Sequence, residues 1–133
     1  MQSTALAALI AHPRLSDMPR VGMRIIMCLR LVIIARRRAI DPIPLLAERI
    51  GGITRAHHAL HIVHLVGDMW PERFTLSPPC CGAMSHDEAL LAELAGHADA
   101  ADRPAFDRAG ADLLASDARD QLWREFTRWA LRT

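Results

Sequence analysis

The segment HHALHIVH, residues 57–64, concentrates side chains that bind transition metals and titrate near neutral pH. Because successive helical residues are rotated by about 100°, three of these histidines and Asp68 fall on one narrow polar stripe of a helix that is apolar elsewhere, apart from Arg55 and His58. We call it the histidine stripe; its members are His57, His61, His64 and Asp68. It contains two i,i+4 pairs, each close enough in space to chelate one ion. Imidazole suits zinc, copper, nickel or iron.

A zinc site on this stripe needs ligands from outside the helix, because structural zinc takes four ligands and one i,i+4 pair supplies two. The nearest sulfur donors are adjacent cysteines in the following loop, so the candidate metal set is His57, His61, His64, Asp68, Cys80 and Cys81. The C-x-x-C spacing typical of zinc sites is absent. A solvated polar face and a pH-sensing cluster are the alternative interpretations. We favour the solvated face, since an amphipathic helix requires a polar stripe whether or not anything binds.

Length and composition predict one domain with a substantial core, since the chain has 133 residues and 51% of them are hydrophobic. Lysine, asparagine and tyrosine are absent and all 16 basic residues are arginine, which indicates a GC-rich bacterial genome. Three cysteines do not make a disulfide framework, so a reducing cytoplasm is expected. No secretory leader is expected, because the first apolar run is short and lacks a basic n-region, and no membrane span is expected, because arginines interrupt the most apolar stretch.

Charge is unevenly distributed along the chain. Residues 1–58 contain nine arginines and three acidic residues, a balance of +6, whereas residues 85–133 contain six arginines and ten acidic residues, a balance of −4. Two explanations stay open: the halves face each other within the fold, or the basic half meets an acidic partner. Candidate partner-binding residues are Arg36, Arg37 and Arg38. Few aromatic residues accompany the arginines, which disfavours nucleic-acid binding.

Hydrophobic periodicity predicts an all-α single-domain bundle of five to six helices over residues 1–133. Residues 1–19 are expected to be flexible or to hold a short helix between Ser3 and Pro13. The predicted helices that follow are, in chain order, residues 20–38, a short helix from Asp41 to Gly51-Gly52, Ile53 to Met69, and three helices opened by Ser85, Asp102 and Asp117.

Local sequence also predicts how three of these helices are built. SHDE at 85–88 is typical of a capping box, in which Ser85 caps the helix and Glu88 reaches back to it. Leu90, Leu91 and Leu94 are expected on the buried face of that helix. The next helix is expected to contain Phe106, Leu113 and Leu114. In the last helix, apolar residues recur every four positions at Leu122, Phe126 and Ala130.

The proline-rich loop from Trp70 to Met84 is long enough to suggest a functional role.

The segment PPCCGAMSHDEALLAEL resembles a group of small alphaproteobacterial helical proteins with a Pro-Cys-Cys-(Cys) run followed by Met-Ser/Thr and an Asp-Glu pair. The matching residues are Pro79, Cys80, Cys81, Met84, Ser85, Asp87, Glu88, Leu90 and Leu91. Gly82 stands where relatives often have a third cysteine. The resemblance covers under a fifth of the chain; it implies a helical bacterial protein and carries no catalytic residues.

We therefore expect a cytoplasmic interaction or regulatory module that binds another protein or itself as a homodimer. The alternative is a zinc-binding protein that uses the histidine stripe and the Cys80-Cys81 loop. The sequence does not establish any cofactor; zinc is the metal that these candidate ligands would bind. A redox protein using Cys80 or Cys81 is a third possibility. No phosphate loop, nucleotide fingerprint or nucleophile-base pattern favours an enzyme. Cys28, within an apolar helix, is expected to fill the core.

Overall fold

The computed structural model describes residues 14, 16, 18–77 and 82–132, with side chains up to residue 129. These residues form six helices: α1 (Arg20–Arg37), α2 (Pro42–Ile50), α3 (Ile53–Met69), α4 (His86–Asp99), α5 (Arg103–Gly110) and α6 (Ser116–Arg132). Within the described ranges there is no strand, and the β pairing is an isolated bridge between Arg14 and Ala83. The predicted all-α bundle is confirmed. The short helix expected between Ser3 and Pro13 lies outside the described residues.

Helix α1 buries nine residues in the bundle, but it is not buried all round, since Met23, Met27 and Leu31 are only half-buried. It packs against α2, α3 and α4, while α6 packs against α3, α4 and α5. The approach of α1 to α4 depends on Gly22, because a Cβ there would lie 2.9 Å from the backbone oxygen of Ala92. The largest fully buried side chains include Trp129, Phe106 and Phe126, so aromatic residues of α5 and α6 complete the core.

Capping hydrogen bonds fix the starts of α2, α4 and α5 at the residues that the sequence predicts. Asp41 accepts from the amide of Ile43 at 3.0 Å, and Asp102 accepts from that of Ala105 at 3.1 Å. Both bonds of the capping box at Ser85 are present. Helix α2 ends at Gly51, whose φ of 81° is the left-handed conformation that glycine adopts without a steric penalty. The predicted bounds of α3 are those observed.

Two predicted boundaries are wrong in detail. Helix α5 ends at Gly110, so Leu113 and Leu114 lie in the following turn, where their amides both donate to the carbonyl of Gly110. Leu114 is nevertheless buried, since the turn presses it into the core. Helix α6 begins at Ser116, one residue before the predicted opening at Asp117. None of the described helices combines the length and hydropathy that a membrane-crossing segment requires.

Candidate functional site

The histidine stripe lies on the outward face of α3. All four of its members, His57, His61, His64 and Asp68, are exposed. Over the described part of the chain, no group of three or more histidine, cysteine, aspartate or glutamate side chains is arranged to hold a metal ion. An i,i+4 pair on an exposed helix face therefore needs ligands from elsewhere to complete a zinc site.

Cys80 and Cys81, the predicted sulfur ligands, lie outside the described residues, so the six-residue metal set stays a prediction. The chain before them is held against the start of α4. The Thr75 amide donates to Asp87 Oδ2 at 2.8 Å, and Ser85 Oγ donates to the Thr75 carbonyl at 2.6 Å. The acidic residues at the start of α4 thus bind the loop as well as their own helix terminus, a role that capping alone does not predict.

His58 is the histidine of this segment that makes a tertiary contact. Its Nε2 lies 2.9 Å from Glu125 Oε2, and the two side chains are 11% and 14% exposed. Glu125 also accepts from Arg128 Nη1 at 3.4 Å. His58 is off the stripe because α3 turns it towards α6, so it joins two helices instead of facing solvent with its neighbours.

The arginine triplet lies at the exposed C-terminal end of α1. Arg36, Arg37 and Arg38 are all exposed, and basic side chains here interact favourably with the helix dipole. Arg36 also lines a polar cleft of about 380 Å³ together with His64 and Asp68. The structure thus brings one partner-binding candidate beside two metal candidates. A guanidinium next to the His64–Asp68 pair opposes cation binding there by like-charge repulsion.

The only ion pair that is buried on both sides, among the described residues, joins Arg30 of α1 to Glu88 of α4. Arg30 Nε lies 2.7 Å from Glu88 Oε2 and Arg30 Nη2 lies 3.0 Å from Oε1, the forked geometry in which arginine binds a carboxylate. Exposure is 6% for Arg30 and 0% for Glu88. Arg30 Nη2 also donates to the Ala83 carbonyl at 3.2 Å. The pair therefore fastens α1 to α4 and to the end of the long loop.

Glu88 remains charged in this setting despite its burial. Desolvation would raise the pKa of its carboxyl, but hydrogen bonds from Arg30, Ser85 and Ser77 outweigh it and hold the pKa below its ordinary value. The amides of Ser77 and Ser85 donate to the same oxygen, Oε1, at 3.1 and 2.9 Å. One carboxylate thus holds the loop on both sides of residues 78–81.

The acidic half of the chain neutralises much of its own charge. Asp107 accepts from both Arg103 and Arg119, and Arg103 also pairs with Asp120. Between the two halves, the described contacts with a carboxylate are the Arg30–Glu88 ion pair and the His58–Glu125 hydrogen bond. The hypothesis that the two halves of the chain neutralise each other therefore explains two contacts. Most arginines of the basic half have no carboxylate partner among the described residues.

A groove between α1 and α2 collects part of this unneutralised charge. We call it the basic groove; its volume is about 240 Å³, and its lining residues are Arg20, Met23, Arg24, Met27, Cys28, Leu31, Arg49 and Ile50. Met23, Met27 and Leu31 recur every four residues along α1 and are half-buried, so they form an apolar floor that is open to solvent. Arg20 and Arg24 follow the same spacing beside them.

The arginines of the basic groove make no ion pair with any carboxylate in the described ranges; of the nine arginines in residues 1–58, Arg30 alone does. The sequence alone does not reveal this groove, although arginine and methionine recur at four-residue spacing, because the second wall is formed by α2 through long-range packing. Cys28 at its base is 1% exposed, and burial raises the pKa of its thiol to about 12, so it acts as core and not as a nucleophile.

Comparisons with known proteins identify no relative of this chain. No protein-family model, no curated protein and no solved structure matches it.

Proposed function

We propose that this chain is a helical interaction module and that the basic groove is its docking surface. The observation that carries the proposal is an apolar floor that is open to solvent and bordered by Arg20, Arg24 and Arg49, which have no described acidic partner. Methionine-lined floors suit protein recognition, because the flexible thioether side chain adapts to the shape of an inserted residue.

The size of the groove favours a protein segment over a small molecule. Pockets for drug-sized ligands measure roughly 300–1,000 Å³, whereas the basic groove measures about 240 Å³. This volume suits one or two side chains presented by a larger partner. The remaining contact area would come from the adjoining surfaces of α1 and α2, whose helices provide a rigid frame.

The proposal extends to the compartment and to the class of partner. The partner is another protein or a second copy of this chain, and the module works in the cytoplasm, where an unpaired buried thiol such as Cys28 is the ordinary state. Binding at α1 also offers a route to regulation, since the same helix contacts α2, α3 and α4.

The test compares two substitutions on one helix. Met27 lies in the groove floor, whereas Ile34, which is also half-buried on α1, does not line the groove. Partners are captured at low salt and identified, and each purified candidate is titrated by calorimetry against the wild type, Met27→Gln and Ile34→Gln. Losing the burial of a methionine should weaken binding by about tenfold or more, and Ile34→Gln should change it by less than about threefold. Equal losses, or no partner that binds when purified, would contradict the proposal.

A further inference from the structure

We infer that the occupant of the basic groove is an acidic amphipathic helix of a partner protein, an inference that rests on the proposed function. Its apolar face would lie on Met23, Met27 and Leu31, and its carboxylates would meet the arginines on either side. Arg20 and Arg24 come from α1 and Arg49 from α2, so positive charge lies on both walls of the groove.

Among the described residues, the arginines of the groove repel one another, and an acidic ligand would reduce this repulsion. Arg20 and Arg24 are an i,i+4 pair of like charge, which destabilises a helix. The first turn of α1 has no acidic residue and its start has no side-chain cap, so Arg20 lies at the positive end of the helix dipole. Carboxylates placed here reduce the repulsion between the arginines and complement the dipole, whereas a basic or neutral ligand does neither.

The spacing along α1 matches a helical ligand. Residues four apart are separated by about 6 Å along the axis, which is close to one turn of any helix that lies parallel to α1. Glutamates one turn apart on the ligand therefore meet Arg20 and Arg24 in register. The apolar floor from Met23 to Leu31 is about 12 Å long, or roughly two turns. Leucines at i, i+3, i+4 and i+7 of the ligand span about 10 Å and can cover this length, which is the helix-in-groove mode of recognition.

The probe for this inference is a labelled synthetic helical peptide with leucine at i, i+3, i+4 and i+7 and glutamate on both flanks. Its controls are the same peptide with lysine in place of glutamate, and one with alanine in place of leucine. Fluorescence anisotropy should show binding of the leucine-glutamate peptide only. The affinity should fall between 0.1 M and 1 M salt, as the Debye length shrinks from about 10 Å to about 3 Å.

The matched variants change net charge equally at two places, the basic groove and the exposed surface of α5 and α6. Arg20→Glu with Arg24→Glu reverses charge in the groove, and Arg108→Glu with Arg124→Glu reverses it at exposed positions that do not line the groove. Circular dichroism and melting temperature check that both variants are folded. The groove variant should bind the peptide about tenfold more weakly, about 1.4 kcal/mol, and the control within about threefold of the wild type.

Four outcomes would overturn the inference: equal binding of the lysine peptide, an equal loss in the Arg108/Arg124 variant, binding to phosphatidylglycerol vesicles in place of the peptide, or a homodimer closed through the groove. Failure of the inference and failure of the proposed function are distinguishable. If Met27→Gln weakens the binding of a purified partner protein while the glutamate peptide does not bind, the docking surface is supported and the acidic helix is wrong. If neither effect is seen, both are wrong.

Discussion

Replacement of Glu88 by glutamine should be strongly destabilising, because it removes one charge of a fully buried ion pair and leaves the other in place. Glutamine can keep the Oε1 acceptor that serves the amides of Ser77 and Ser85. It puts an amide NH2 group where Oε2 accepts from Arg30 Nε at 2.7 Å, so two donors then face each other. Breaking a buried pair on one side costs about 3–5 kcal/mol, a large part of the roughly 5–15 kcal/mol that stabilises a domain.

The comparison is Ser85→Ala, which removes the side-chain cap of the same helix and should cost about 1 kcal/mol. Urea unfolding at pH 7, followed by tryptophan fluorescence, measures the free energy of unfolding of each variant. The double variant Arg30→Met with Glu88→Gln should lose less unfolding free energy than the sum of the losses in the two single variants, since neither buried charge then remains. This account of the pair would be refuted if Glu88→Gln lost no more unfolding free energy than Ser85→Ala, or if the losses of the two single variants were strictly additive in the double variant.

The pH dependence follows from the same site. The pKa of Glu88 is lowered in the folded protein from an ordinary value of 4.5. Its contribution to stability is therefore complete above about pH 4.5 and is lost as the pH falls through the folded-state pKa. The difference in unfolding free energy between the wild type and Glu88→Gln should narrow on acidification below pH 4.5. A difference that stays constant from pH 7 to pH 3 would contradict a charged Glu88.

Two further predictions concern packing and metal binding. Gly22→Ala should lower the melting temperature, because its Cβ would lie 2.9 Å from the backbone oxygen of Ala92 and overpacking costs about 1–3 kcal/mol. Gly67→Ala, whose Cβ would have no atom within 4 Å, should raise the melting temperature through helix propensity worth up to about 1 kcal/mol. A higher melting temperature in both variants would show that α1 and α4 can separate freely. The metal hypothesis predicts that zinc raises the melting temperature of tag-free protein and that His61→Ala abolishes the rise, and calorimetry without a zinc-dependent rise would leave the stripe as a solvated face.

The helices of this protein could be predicted because their ends depend on neighbours in sequence. A cap such as Ser85 bonds an amide three residues away, and Gly51 ends α2 by its own backbone conformation, so neither needs the rest of the fold. The exposed histidine stripe follows equally from helical periodicity. The prediction fails at Leu113 and Leu114, where the core accepts the side chains from a turn as readily as from a helix.

Tertiary structure decided which polar residues of these helices act together. Arg30 and Glu88 are 58 positions apart, and no local pattern pairs them; their burial depends on how α1 crosses α4 at Gly22. His58 differs from its neighbours only because α6 brings Glu125 to it. The basic groove, likewise, exists because α2 packs beside α1 and adds Arg49 to the groove that Arg20 and Arg24 line. Sequence specifies faces of helices through a fixed rotation per residue, whereas the partner of each face depends on long-range packing that this periodicity does not contain.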